Sequence, residues 1–275
     1  MRVFVAAAAV AVAVLLGGLI MYLSPRDPRK PEVEQGTIRT GVTTDRPTGW
    51  AKWCEIAGWA AGGQSLSYRR PVGRLVAEAL AVSLPLNVLG LGAGWALGLA
   101  LGNWAGARLG RASGRAAVGA ALLLVVLPSP VQVEVARTLF VEAGAGNRTI
   151  LPGALTLCLL TFPALAVNQA VLVAGARARP EVVFARSLGL PAAAVRDRVR
   201  PHTAAFWRAQ FALLLVGLVE GPVLVESAFD LHGTGQLALS AFRRADAAVV
   251  VPLVGLSATA VTAGWLLATS RTPRT

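Results

Sequence analysis

Uncharged, mostly apolar stretches alternate along the chain with short arginine-bearing gaps. Measured from charge to charge, the apolar intervals are Val3 to Leu23, Ala79 to Ala107, Ala116 to Val133, Thr149 to Ala176 and Ala247 to Ser270, with Ala209 to Val225 interrupted only by Glu220. About 20 apolar residues suffice to cross a hydrocarbon core of roughly 30 Å. The pattern therefore predicts six membrane-spanning helices. The first interval exceeds the apolar core of about 7–15 residues found in a cleavable signal peptide, and it ends in Tyr22-Leu23-Ser24-Pro25. Residues 1–24 are accordingly expected to be a retained anchor. Residues 25–74, with Pro25, Pro28, Pro31, Pro47 and a Trp50–Trp59 stretch, are expected to form a small ordered extracytoplasmic cap ahead of a transmembrane domain over 75–275.

Composition agrees with a lipid-solvated chain: 55% of the 275 residues are hydrophobic and only 15% charged, with a mean hydropathy of +0.61. The formal net charge of +12 does not indicate a nucleic-acid binder, because such a protein gathers its basic residues on one polar face interleaved with aromatics. Here they fall in the gaps between apolar runs. Cytoplasmic loops are enriched in Lys and Arg, and the gaps holding Arg108, Arg111 and Arg115, then Arg177 to Arg208, then Arg271 and Arg274, are the basic ones. Both termini are thus expected on the cytoplasmic side, with Cys54 outside.

Candidate chemistry is sparse. Cys54, in a polar segment, and Cys158, inside an apolar run, are the only cysteines; His202 and His232 are the only histidines and are expected in solvated loops; no metal site, cofactor site or catalytic constellation is expected. The chain has no phosphate-cradling G-x-x-x-x-G-K-[ST] loop, since its only lysines are Lys30 and Lys52. Gly90, Gly94, Gly98, Gly102 and Gly106 recur every fourth residue. That spacing puts them on one helical face, where small residues let a second backbone approach. Glu220 is costly in an apolar span unless it meets a cavity or a partner. Pro222, two residues on, interrupts helical hydrogen bonding there.

The segment 177–208 is the most informative. Pro180 suits a first helical turn with Glu181 at the positive end of the dipole, Gly189 suits a left-handed stop, and Pro191 can start a second helix to about Arg200. Two short helices around a glycine corner are predicted. The stretch Phe184-Ala-Arg-Ser-Leu-Gly-Leu-Pro-Ala-Ala-Ala-Val-Arg-Asp-Arg-Val-Arg-Pro resembles the coupling segment, or EAA loop, of binding-protein-dependent ABC importer permeases, with Gly189 as its glycine. Gly221-Pro-Val-Leu-Val-Glu-Ser-Ala-Phe229, then Gly233-Thr-Gly235-Gln-Leu237, Ala241 and Asp246, look like the C-terminal block of the dipeptide, oligopeptide and nickel branch. Gly63-Gln-Ser65-Leu-Ser-Tyr-Arg-Arg-Pro71-Val72 is similar to the segment before that branch's second span. The family's EAA glutamate falls at Val183, its loop proline appears as Pro201, and His232 stands where a proline usually precedes the glycine pair.

The resemblance implies an all-α integral membrane protein of the type I ABC importer permease fold and no enzymatic activity of its own. Its expected partners are a second permease subunit, two cytoplasmic ATPase subunits, an extracytoplasmic substrate-binding protein and the lipid bilayer of a bacterial inner membrane. Short peptides are the expected cargo, ahead of nickel and other small solutes. Ala185, Arg186, Gly189, Leu190 and Pro201 would belong to the ATPase-coupling segment. Glu220 and Glu226 are candidates to line a translocation path, while Gly221, Phe229, Gly233, Gly235 and Asp246 match family-block positions. Gly90, Gly94, Gly98 and Gly102 are helix-packing candidates. The alternative is a non-transporting membrane scaffold or sensor whose basic loop docks a regulator or anionic lipid.

Overall fold

A computed structural model describes residues 63–65, 67–143, 150–220, 222–244 and 246–269; the expected first span Val3 to Leu23, most of the cap including Cys54, and Gly221 lie outside these. Nine helices are described: α1 (Val72–Ala107), α2 (Ala112–Val126), α3 (Ser129–Glu142), α4 (Ile150–Arg177), α5 (Pro180–Ser187), α6 (Ala192–Glu220), α7 (Val223–Ala228), α8 (Thr234–Arg243) and α9 (Ala247–Thr269). No strand occurs among the described residues, where β pairing is limited to an isolated bridge between Gln64 and Pro71. Helices α1 and α4 and residues Ala248–Leu266 of α9 are long and apolar enough to cross a membrane, and α2 with α3 makes a fourth if the pair is one broken span.

The centre of the fold is the pairing of α1 with α4, and glycine makes it possible. A Cβ at Gly90 would lie 2.8 Å from the Ala154 carbonyl oxygen, at Gly94 2.5 Å from Thr161 Oγ1, and at Gly98 2.6 Å from Leu165 Cβ. One at Gly102 would lie 2.6 Å from Gln169 Cβ and one at Gly106 2.5 Å from the Ala170 carbonyl oxygen. Real side chains do not fit such spacings, so the two backbones are in contact over four helical turns. The seam has one polar clasp: the buried Gln169 donates from Nε2 to Asn103 Oδ1 at 2.8 Å.

Around this pair lie three apolar clusters. At one end, Val72 and Leu75 of α1 pack with Ala241 of α8 and Ala248, Val249 and Leu253 of α9. Nearby, Leu86 of α1 clusters with Val133 of α3, Ala154 of α4, Val225 of α7 and Phe229 just after it. At the other end, Val173 and Ala176 of α4 enclose Val182 of α5 and Val195 and Val199 of α6.

Two expected helices differ in extent. The interval Ala116 to Val133 is not one helix, because the chain turns by 98° between α2 and α3. Leu127, held extended at φ −67° and ψ 129° ahead of Pro128, stops α2. A residue preceding proline is driven out of the helical region, and Pro130 then sits in the first turn of α3. Conversely, the second helix of the glycine corner does not stop near Arg200. It continues through Pro201 as α6 to Glu220, so Pro201 is a helix-interior residue and not a loop proline. The expected span Ala209 to Val225 is therefore divided: its first part belongs to α6, which ends at Glu220 and is not among the described helices long and apolar enough to cross a membrane, and its last part belongs to the separate short helix α7 after Pro222.

Candidate functional site

The corner between α4 and α6 is built by punctuation in the sequence. Pro180 occupies the first turn of α5 with Glu181 beside it, and Gly189 takes φ +69° just after the helix ends. The Leu190 N–H then donates to the Ala185 carbonyl at 3.3 Å, the backward bond by which a left-handed glycine closes a helix C-terminus. One face of α5 is anchored: Val182 is 0% exposed and Ala185 2%. The opposite face carries apolar groups into the open, with Phe184 65%, Leu188 63% and Val183 50% exposed. Arg186 and Pro201 are exposed and Leu190 half-buried. His202 lies within α6, and its Nε2 is 3.2 Å from Glu181 Oε1, which ties α6 to the first turn of α5. The loop placement expected for this histidine is thus replaced by a helical one.

Charge divides the described molecule into two unlike ends. The corner end holds Arg108, Arg111, Arg115, Arg177, Arg179, Arg186, Arg196, Arg198 and Arg200 against only Glu181 and Asp197. The far end holds Arg69, Arg70, Arg74, Arg137, Arg243 and Arg244 balanced by Glu78, Glu134, Glu142, Glu226, Asp230 and Asp246.

At that far end two carboxylates act as structural caps. Glu226, 0% exposed, accepts the Ser83 hydroxyl at 2.6 Å on Oε1 and the Gln236 backbone N–H at 2.8 Å on Oε2. Ser83 Oγ in turn accepts the Thr234 N–H at 2.7 Å. The first N–H groups of α8 have no partners within their own helix, so α1 and α7 supply them. Gly233 must be glycine here, since a Cβ would fall onto the Glu226 carboxylate and Ser83 Oγ, and Gly235 is buried in the first turn of α8. The expectation that Glu226 lines a path is therefore replaced by an enclosed cap. Asp246, also 0% exposed, accepts the Ser65 hydroxyl at 2.6 Å and the Ser67 N–H at 3.0 Å on Oδ2, while its carbonyl accepts from Val249 and Val250 at the start of α9. Ser65 and Ser67 are thereby docked to the helical body, and Tyr68 adds a 2.9 Å hydroxyl contact to Ser240. Phe229, 1% exposed, packs edge-on against Phe140. Glu220 is the last residue of α6; its side chain lies outside the described ones.

Between the two ends a cavity of about 280 Å³ opens among α1, α4 and α6, lined by Leu91, Trp95, Thr161, Asn168, Gln210 and Leu214 among others. Trp95 meets Trp207 and Phe211 edge-on with ring centroids 6.5 and 6.2 Å apart. The indole N–H groups of Trp95 and Trp207 are buried without a partner among the described residues. These residues and Ser83 carry no formal charge, so intervals measured from charge to charge hide them; the amides and indoles inside the uncharged intervals are the signal that marks them. Among the described residues no three metal-ligating side chains gather. No protein-family model matches the chain, and no curated protein matches it.

Proposed function

We propose that this chain is a permease subunit of an ATP-driven importer of the ABC class, in the dipeptide, oligopeptide and nickel branch, and that it transmits ATPase movements to a translocation path. The observation that carries the reading is α5. A short helix, fixed on one side by Val182 and Ala185 to the ends of two long helices, presents Val183, Phe184 and Leu188 outward at the arginine-rich end. An apolar face that stays exposed beside so many charges fits a protein partner. Its rigid attachment means that a push on α5 displaces α4 and α6 as bodies, the kind of motion by which packed helices rock between states.

On this reading the arginine-rich end is cytoplasmic, as Lys and Arg enrichment favours. The six spans are Val3 to Leu23, α1, α2 with α3, α4, α6 and α9, with both termini cytoplasmic. A second permease subunit completes the path, two ATPase subunits dock on α5, and a binding protein delivers short peptides from the other side. The cavity beside Trp95 and Gln210 then faces the path, and its polar groups contact cargo.

Affinity purification of the tagged chain from its native membrane, with and without Phe184→Asp, tests the reading. ATPase subunits are expected with the native chain and lost from the variant at equal inserted amounts. Recovery of the native chain with no ATPase overturns the reading in favour of a scaffold.

A further inference from the structure

Beside α5, and sharing Val183 with its exposed face, a cleft of about 1100 Å³ runs between the ends of α1, α4 and α6. Arg108, Arg111, Arg177, Arg186 and Arg196 all line it, and no carboxylate does. None of the five forms an ion pair among the described residues. Its remaining walls are small or apolar, including Gly106, Ala174 and Val195.

Five like charges around one concavity repel one another, and low-dielectric walls strengthen the repulsion. A solvated loop would spread such charges outward; here three helices, α4, α5 and α6, and the turn between α1 and α2 converge them. Guanidinium groups are suited to phosphate oxygens, which they bind in forked pairs. Depth is indicated by Trp104, 40% exposed one turn before the cleft, over whose ring the Arg108 guanidinium stacks at 4.8 Å. Tryptophan at the end of an apolar span marks the headgroup level of a bilayer.

We propose that this cleft binds a phosphate-bearing anion at the headgroup level of the membrane, with the phosphate of an anionic phospholipid as its occupant. The apolar walls accept the glycerol and first acyl carbons, and the arginines take the phosphate. Basic pockets between membrane helices on this side are suited to anionic headgroups. Val183 belongs both to the wall of this cleft and to the exposed face of α5, whereas the arginines that would take the phosphate can be tested without any ATPase partner.

The test uses the full chain reconstituted in nanodiscs of phosphatidylcholine with a minor fraction of phosphatidylglycerol, followed by delipidating washes and mass measurement of retained lipid. The native chain is expected to retain phosphatidylglycerol selectively. Arg177→Gln with Arg186→Gln should weaken retention roughly 30-fold, at about five-fold per missing charge. Arg115→Gln with Arg200→Gln removes the same charge from the same end but outside the cleft, and should leave retention nearly unchanged. Equal loss in both pairs overturns the proposal, since a diffuse field would then suffice. In pure phosphatidylcholine the cleft variant should melt no lower than the native chain, because relieving repulsion does not destabilise; a lower melting point overturns the built-site argument. Titration with inorganic pyrophosphate separates the sources: competition with retained lipid identifies the phosphate group as the recognised feature, pyrophosphate binding without lipid selectivity assigns the site to a soluble phosphate compound, and binding of neither overturns it.

Discussion

Glu226 illustrates how one residue's role follows from its partners. In an apolar span a carboxylate suggests a path or a buried pair, but this one is saturated by Ser83 and by the Gln236 N–H at the start of α8. Glu226→Ala leaves a hydroxyl and a backbone N–H without acceptors in a closed site, which costs about 1–3 kcal/mol for each unsatisfied group. The purified variant should melt several degrees lower in detergent than the native chain. Glu226→Gln, which still offers one acceptor oxygen but turns an NH₂ toward a donor, should fall between them. A native melting point for Glu226→Ala would remove the capping role. The residue could not be read correctly from sequence because its acceptors' partners are 143 and 10 positions away, and a fold is needed to bring them together.

Among elements, the glycine series was legible because a four-residue period survives any choice of neighbour: it names a face without naming what the face meets. The structure adds the partner, α4, and the closeness of contact. Gly98→Ala forces a methyl to within 2.6 Å of Leu165 Cβ, an overpacking that typically costs about 1–3 kcal/mol. Gly92, on the same helix but with nothing within 4 Å of its would-be Cβ, is the control. Gly92→Ala should be neutral or stabilising by up to about 1 kcal/mol, the ordinary gain of alanine in a helix interior. Equal melting points for the two variants would show that α1 and α4 are not in backbone contact. The corner at Gly189 was legible for the same local reason, since Pro180, Gly189 and Pro191 punctuate the chain without help from elsewhere. The break between α2 and α3 was signalled by Pro128 and Pro130, but charge-free length alone ignores prolines. The length of α6 was hidden by the opposite error, for a charged first half reads as loop although α4 and α5 pack against it through Val195 and Val199.

For the whole molecule, the decisive property is that its two ends differ in net charge while being joined by the same helices. The corner end carries nine arginines and two carboxylates, the far end six of each. On the proposed reading, an asymmetry of that size favours an orientation with the basic end inward. Gly189 adds a mechanical consequence: at φ +69° with open space around it, a β-branched residue fits sterically but not conformationally. Gly189→Val is therefore expected to redirect α5, lowering ATPase co-purification while the inserted amount holds, and undiminished co-purification would detach the corner from any coupling role. The orientation itself is open to a direct measurement. In a chain with Cys54→Ser and Cys158→Ala, a cysteine introduced for Ser227, exposed at the far end, should react in intact cells with a membrane-impermeant thiol reagent. One introduced for Ala193, exposed beside the corner, should react only after the membrane is opened. Because α6 begins at Ala192 and α7 follows its far end, the two sites lie on opposite sides if α6 crosses as proposed, whatever the number of other spans, and the charge asymmetry sets which of them is outside. Reaction of both positions in intact cells would mean that α6 does not cross at all. Reaction of Ala193→Cys alone would mean that it crosses with the arginines outside, and α5 would then be unreachable by any cytoplasmic ATPase.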